Sequence, residues 1–289
     1  ALFLLGCHST LFGPVKYAIL PQHLKPEELV GGNGLVEMGT FVAILAGTIA
    51  GGLVVAAGPH GPLWAGSLAV AVAVAGWLAS RRIPETPPVD PGLAFRWNPF
   101  AETWRNLAFA SGNRVVWLSM MGISWFWFYG AVFLAQFAGY ARDTLGGNET
   151  VVTALLALFS VGVGAGSLLC ERMSRRRVEL GLVPFGSIGL TVFAVDLWFA
   201  SRGLSATSVA GLDAFLAKPA HWRVAADLVL IGAFGGFYIV PLYALIQERS
   251  EPSHRSRIIA ANNILNAVFM VAAALMAILL LKAGLSTPD

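Results

Sequence analysis

Two stretches of the chain, one near each end, carry the same short pattern. Residues 14–26 read PVKYAILPQHLKP and are followed by GGNGLVE at 31–37, whereas residues 241–252 read PLYALIQERSEP and are followed by AANNILN at 260–266. The Tyr-Ala pair and the later proline recur at one offset, since Tyr243 and Pro252 each lie 226 positions after Tyr17 and Pro26. Each copy joins the end of one apolar segment to the start of the next. This duplication predicts two homologous helical bundles.

The composition predicts a polytopic membrane protein. Of 289 residues 56% are hydrophobic and only 12% are charged, with a mean hydropathy of +0.70, whereas a soluble domain carries about 25% charged residues. The net charge of +3 is too small to indicate a nucleic-acid partner. Cys7 and Cys170 lie in separate apolar stretches and predict buried thiols rather than a disulfide. Because the chain begins inside an apolar run without a methionine, we expect residues to be missing before Ala1.

Eight apolar segments are long enough, or nearly so, to cross a bilayer as helices, which need about 20 residues. They lie near residues 1–20, 33–57, 62–80, 115–139, 150–170, 180–200, 224–247 and 258–282. Most of the 19 Lys and Arg residues fall in one set of alternate connections, around Lys25, residues 81–114, residues 172–177 and residues 249–257. The excess of positive charge predicts that this set is cytoplasmic.

The segment order predicts a division of the chain into three parts. Residues 1–80 form the remainder of an N-terminal bundle, residues 81–113 a cytoplasmic linker with an interfacial helix around Phe100–Phe109, and residues 114–289 a C-terminal bundle. The two copies of the repeat stand six segments apart, which predicts six helices in each bundle. The eight segments then correspond to helices 4–11 of twelve, as in many secondary transporters. Residues 201–222 form the longest outer loop, with a short helix around Val209–Leu216.

Charged residues inside a span are expensive and are usually functional. Lys16 and Glu37 lie on antiparallel helices joined by a short turn, so an ion pair is feasible between them. The alternative is that Lys16 extends to the interface and Glu37 caps or lines the turn. We predict a substrate-binding or gating site formed by residues of both copies: Lys16, Tyr17, Asn33, Glu37, Asn263 and Asn266. The copies differ, because the second has Leu242 and Asn266 in place of the charged pair.

Other polar residues leave two interpretations open. Gln247, Glu248 and Arg249 predict either a salt-bridged cytoplasmic latch or a solvated turn. Asp196, near the outer end of its segment, predicts an interfacial residue or a proton or cation site. His8 favours a buried core histidine.

Aromatic and small residues mark surfaces where helices or lipid chains pack. Trp125, Trp127 and Tyr129 predict packing bulk or, as a sharper alternative, the wall of a cavity for an acyl chain. Small residues about four apart predict close helix crossings at Gly47, Gly51 and Gly52, at Gly162, Gly164 and Gly166, and at Gly232, Gly235 and Gly236. The sequence contains no catalytic motif of an acyltransferase or a serine hydrolase, and its scattered histidines indicate no metal site. We therefore predict a non-enzyme without cofactors.

These features resemble the major facilitator superfamily. Residues 166–177, GSLLCERMSRRR, look like a degenerate form of its acidic–basic loop motif. The strings at 12–20, 32–37 and 240–249 resemble its bacterial lysophospholipid transporter branch, which includes members fused to an acyltransferase and an acyl-acyl-carrier-protein synthetase. The chain departs from that branch in having no charge in the middle of the fourth and eighth segments, where Leu134 and Asn266 stand.

The resemblance implies energy-coupled movement of lysophospholipid, such as lysophosphatidylethanolamine, across the bacterial inner membrane by alternating access. It implies membrane lipid and an acyltransferase domain or enzyme as partners. Two alternatives stay open, namely an exporter of another amphiphile or drug and the membrane domain of a fused glycerophospholipid acyltransferase.

Overall fold

The computed structural model describes residues 2–87, 92, 97–175, 177–204 and 211–288, and these are predominantly helical. The helices are α1 (Leu2–Ala18), α2 (Leu20–His23), α3 (Leu29–Ala56), α4 (Gly61–Ser80), α5 (Pro99–Ser111), α6 (Arg114–Gly139), α7 (Glu149–Ser174), α8 (Leu182–Ser201), α9 (Leu212–Leu216), α10 (Pro219–Arg249) and α11 (Arg255–Lys282). A 3₁₀ turn, Pro26–Glu28, precedes α3, and a π-helical turn, Tyr140–Thr144, follows α6. The predicted all-α architecture is confirmed.

Seven helices in the described part of the chain, α3, α4, α6, α7, α8, α10 and α11, are long and apolar enough to cross a membrane. The protein is therefore a multi-pass membrane protein. The first predicted segment is the 17-residue helix α1, so the expected count of about eight is in rough agreement. The largest difference is in α10, which begins at Pro219 rather than near residue 224. Its first turns are polar, but a proline suits the first turn of a helix because its missing N–H needs no partner there.

The long helix α10 lies at the centre of the packing, with α7 and α8 against it, while α3 packs on α7 and α6 packs on α11. The contact between α7 and α10 depends on glycine. A Cβ on Gly162 or Gly166 would collide with backbone carbonyls of α10, and one on Gly232 or Gly236 would collide with the backbone of α7. The predicted close crossing is thus present in this pair of helices.

The other predicted glycine contact is absent from the described residues. A Cβ on Gly47, Gly51 or Gly52 of α3 would meet nothing within 4 Å. The second half of α3 and nearly all of α4 instead present apolar side chains outward.

Buried apolar residues form two clusters, one toward each end of the bundle. The first contains Tyr17, Val30 and Tyr243, together with residues of α6 and α11, and the second contains Phe41, Phe159 and Val224. We call the end of the bundle with Tyr17 and Tyr243 the junction end. The candidate site lies there.

The helix predicted in the linker is present as α5. Asn98 caps it by accepting a hydrogen bond from the Ala101 amide at 3.0 Å. Phe100 and Trp104 are exposed, whereas Phe109 stacks on His254 with ring centroids 3.9 Å apart. The other predicted short helix is described only as α9, since residues 205–210 lie outside the described ranges.

Candidate functional site

The two copies of the sequence repeat meet face to face at the junction end. The rings of Tyr17 and Tyr243 are stacked, with centroids 4.2 Å apart and planes 4° from parallel. Each tyrosine follows a proline inside its helix, Pro14 in α1 and Pro241 in α10. A proline within a helix removes one backbone hydrogen bond and favours a kink. Both rings are almost completely buried, so this pair seals the contact between the copies.

The Tyr17 hydroxyl donates a hydrogen bond to the Glu37 carboxylate. The distance from Tyr17 Oη to Glu37 Oε1 is 2.5 Å, and Glu37 is fully buried in α3. Its second oxygen, Oε2, has no hydrogen-bond partner within the described residues. Glu37 therefore does not cap the turn, and it keeps one buried acceptor oxygen that a ligand or a proton can satisfy.

Lys16 lies beside this pair but does not bond to it. Its ammonium donates to the Thr40 hydroxyl at 3.1 Å and stands 4.8 Å from the centre of the Tyr17 ring. No ion pair joins Lys16 to Glu37 among the described salt bridges, although the two charges are near enough to attract. The side chain of Lys16 is half-buried. Its cation thus remains at the edge of the site with a single neutral hydrogen-bond partner in the described structure.

A reciprocal amide pair joins α3 to α10 below the tyrosines. The Asn33 amide donates to Gln247 Oε1 at 2.5 Å, and Gln247 Nε2 donates to Asn33 Oδ1 at 3.1 Å. Gln247 Nε2 also donates to the Tyr17 carbonyl at 2.9 Å. Both side chains are fully buried. Three hydrogen bonds without any charge therefore hold the first copy against the second.

The second copy uses neutral groups where the first uses charges. The Trp127 indole donates to the Tyr243 hydroxyl at 3.2 Å, and the side chain of Asn266 also contacts this hydroxyl. Asn266 accepts a hydrogen bond from Ser124 at 2.8 Å. Asn263 lies against Gly13 of α1, where a Cβ would touch its amide. The polar layer is thus formed by α1, α3, α6, α10 and α11.

The structure separates two residues of the proposed latch from the third. Gln247 is part of the buried amide pair, whereas the side chains of Glu248 and Arg249 are exposed. Neither exposed residue forms an ion pair within the described residues, so the structure shows no salt bridge in the latch, whose role stays a prediction. The reason is helical geometry, because residues directly after Gln247 point away from the face that carries it.

The three aromatic residues of α6 do not form one wall. Two positions along a helix correspond to a rotation of about 200°, so Trp127 faces Tyr243 while Trp125 is 54% exposed. Trp125 and Tyr129 line a separate small cavity between α6, α8 and α10. The three side chains therefore do not share one surface, and a role for them as the wall of an acyl-chain cavity stays a prediction.

Three residues of the site were not among the predicted ones, namely Tyr243, Thr40 and Ser124. The repeat offers a signal for two of them, since Tyr243 is the counterpart of Tyr17 and Thr40 stands 226 positions before Asn266. Ser124 lies in an apolar helix outside the repeat and carries no comparable signal.

The acidic residue of the loop motif packs on the start of α3. A Cβ on Gly31 would lie 2.7 Å from the Glu171 carboxylate, and one on Gly34 would lie 2.8 Å from the Ser167 carbonyl. These glycines stand on either side of Asn33 in α3, so α7 approaches α3 directly beside the amide pair. Within the described residues no group of His, Cys, Asp and Glu side chains can hold a metal ion.

Three curated proteins named Lysophospholipid transporter LplT are similar to this chain. Each is 31% identical to the chain. The alignment covers 261 residues for the protein of Pectobacterium carotovorum, 264 for that of Cronobacter sakazakii and 258 for that of Klebsiella pneumoniae. The alignments cover 86% of this chain but only 56%, 58% and 58% of the relatives, so the chain spans little more than half of their length. No solved structure matches the chain.

A family model extends the comparison along nearly the whole sequence. The model of the Major Facilitator Superfamily matches residues 1–274. The match includes both copies of the repeat and every helix that contributes to the polar layer. It agrees with the predicted resemblance and favours a transporter over an enzyme. The chain belongs to the Major Facilitator Superfamily.

Proposed function

We propose that the protein moves lysophospholipid, such as lysophosphatidylethanolamine, across the bacterial inner membrane by alternating access. The observation that carries this proposal is the similarity to the three lysophospholipid transporters over 86% of the chain. Transporters of this superfamily move one bundle against the other around a central site. The contact between the two repeat copies then acts as one gate of that movement.

The distribution of positive charge supports an orientation. Residues 81–114 and 172–177 carry many of the arginines, which favours the cytoplasm for these connections and for the junction end. In this orientation residues 1–80 and 114–289 belong to the two bundles, and residues 81–113 link them on the cytoplasmic side. A downstream acyltransferase domain or enzyme would consume the delivered lysophospholipid there.

The polar groups at the junction suit a zwitterionic headgroup. Lys16 offers a half-buried cation for a phosphate, since only Thr40 occupies it. The free Oε2 of Glu37 offers an acceptor for an ethanolamine ammonium. A charge-assisted hydrogen bond is about twice as strong as a neutral one. The substrate would therefore compete well with the neutral contacts that surround these two groups.

The neutral amide pair suits a gate that must open repeatedly. A hydrogen bond between neutral side chains contributes about 1 kcal/mol net, and polar contacts between membrane helices average about 0.6 kcal/mol. Separation of Asn33 from Gln247 is therefore inexpensive when a substrate or water takes over their bonds. A buried salt bridge at this position would hold the gate closed more firmly.

The proposal is tested with Lys16→Ala in the complete protein. Uptake of labelled lysophosphatidylethanolamine by spheroplasts should fall about tenfold or more, because loss of a charged contact costs about 1.5–3 kcal/mol. Lys25→Ala is the matched control, since Lys25 lies in the exposed turn of the same repeat copy. Normal uptake by Lys16→Ala at normal expression would rule out its role in the site. A competition panel of other amphiphiles and drugs tests the substrate class, and transport of those alone would contradict the lysophospholipid assignment.

A further inference from the structure

A second buried carboxyl group lies in α10, at the end of the bundle opposite the junction. Asp227 is only 3% exposed, two turns inside the start of the helix. Its Oδ2 is buried without a hydrogen-bond partner among the described residues. An unpaired carboxylate oxygen at this depth is costly. This oxygen therefore lacks a donor among the described residues.

A second carboxyl group stands directly beside Asp227. Asp196 of α8 lies within hydrogen-bonding reach of it. Arg223, one turn before Asp227 on α10, clamps Asp196 with two hydrogen bonds, one from Nε at 3.0 Å and one from Nη2. Because the guanidinium group is committed to Asp196, that residue is the ionised member of the pair.

The other groups around Asp227 do not neutralise it. Tyr140, directly after α6, also acts on it, but its hydroxyl bonds to Ser201 at 2.6 Å. The helix α7, which packs along α10, carries no charged residue between Glu149 and Glu171. A cavity of about 250 Å³ adjoins this region, since its lining includes Leu228, which follows Asp227 in the chain, together with Tyr140 and Ser201.

Two carboxylates in contact cannot bond to each other, because both are acceptors only. A hydrogen bond forms between them when one carries a proton, and two adjacent carboxyl groups, here a buried Asp227 and an Asp196 whose side chain is 37% exposed, can share one. We propose that Asp227 binds a proton, which it shares with Asp196, and that this pair is a titratable site at the end of the bundle opposite the junction. On deprotonation the proton passes to water in the neighbouring cavity.

The composition of the cluster favours a proton over a metal cation. Cations such as Na⁺ or Ca²⁺ need several oxygen ligands around them, whereas this cluster offers two carboxyl groups and a guanidinium that repels a cation. No set of three acidic, His or Cys side chains near it could hold a metal ion within the described residues.

The site gives the proposed transport a dependence on pH, and this step rests on the proposed function. Deprotonation places two adjacent negative charges between α8 and α10, which weakens the contact of these helices at that end. The helix α10 also carries Tyr243 and Gln247 at the junction. A change in the position of α10 therefore moves residues at both ends of the bundle.

The proton itself is tested without any substrate. Infrared spectra of the complete protein in nanodiscs should contain the carbonyl band of a protonated carboxylic acid at neutral pH, and Asp227→Asn should remove it. Asp196→Asn should remove it as well, because the new amide can donate to an ionised Asp227. Asp196→Asn therefore tests the proton site even if Asp227→Asn does not fold. Glu149→Gln, an exposed carboxylate at the same end of the bundle, should leave the band unchanged.

Other outcomes would contradict the proton site, its coupling to transport or the transport proposal. A spectrum without this band, or a carboxylic acid region that neither substitution changes, overturns the proton site. Loss of the band when Na⁺ replaces K⁺ at constant pH assigns the site to a metal cation instead. The coupling to transport is measured separately as the pH profile of lysophospholipid uptake, which should become flat in Asp227→Asn and stay normal in Glu149→Gln. An unchanged profile rejects the coupling, whereas absence of all uptake in the wild type rejects the transport proposal alone.

Discussion

The two copies of the repeat share a tyrosine but differ in what surrounds its hydroxyl group. In the first copy Tyr17 donates to the carboxylate of Glu37, and a cation, Lys16, lies beside it. In the second copy Tyr243 accepts from the indole of Trp127 and contacts the amide of Asn266. The rings of the two tyrosines still stack on each other. Duplication has thus preserved the packing surface, while the chemistry of the copies has diverged.

The difference indicates a division of labour between the copies. Buried charges are costly in a membrane and remain where they act on a ligand or an ion. Amide and indole groups supply specific contacts at lower cost. We therefore expect the first copy to recognise the headgroup and the second copy to support the first mechanically.

The largest difference in stability between the two copies is expected when the hydroxyl groups of Tyr17 and Tyr243 are removed one at a time. Tyr17→Phe leaves the buried Glu37 without its only described donor and should cost about 2–3 kcal/mol of unfolding free energy, because unpaired charged groups are the most expensive. Tyr243→Phe removes a partner only from neutral groups, the Trp127 indole N–H and the Asn266 side chain, and should cost about 1 kcal/mol. Both variants keep the stacked ring. Unfolding in mixed micelles with increasing dodecyl sulfate measures the two losses.

The combination Tyr17→Phe with Glu37→Gln is the control for this pair. Replacing the charge removes most of the penalty, so the double variant should be more stable than Tyr17→Phe alone. Equal losses for the two single variants would break the proposed difference between the copies.

A smaller effect is expected at the amide pair, where the copies touch through neutral groups. Asn33→Ala and Gln247→Ala should each cost about 1–2 kcal/mol, since each leaves the buried carbonyl oxygen of the other amide without its donor. The double-mutant cycle should give a coupling of about 1 kcal/mol. Glu248→Ala, exposed and adjacent, should change stability by less than about 0.5 kcal/mol. Strictly additive losses would show that the two amides do not stabilise each other.

Much of the fold follows from the sequence because hydropathy and length define the spans. The segment near 150–170 is predicted by its apolar composition alone and is present as Glu149–Ser174. Helix ends are less predictable. The start of α10 contains His221, Arg223 and Asp227, and no hydropathy pattern distinguishes these from a loop. Only contacts with α8 and α9 explain why these polar residues are helical.

The candidate site is predictable where the repeat marks it and not elsewhere. Tyr17, Asn33 and Glu37 stand in the first copy, and the structure brings them together with Gln247 of the second. Ser124 and Trp127 join them from α6, which the repeat does not include. Their partners lie more than 100 residues away, and a single sequence gives no measure of such distances.

The smallest expected difference in stability is between substitutions of Trp127 and Trp125, which the sequence predicted to line one cavity wall. Trp127→Phe removes the donor to Tyr243 but keeps an aromatic ring, and it should cost about 1 kcal/mol. Trp125→Phe changes a half-exposed side chain outside the junction and should cost less than about 0.5 kcal/mol. The same unfolding measurement in mixed micelles compares them. Adding Tyr243→Phe should cost less in Trp127→Phe than in Trp125→Phe, since the bond from Trp127 is already lost in the first variant and only the contact with Asn266 remains to be removed. If both tryptophans responded alike to Tyr243→Phe, the neutral contacts of the second copy would not depend on the bond from α6.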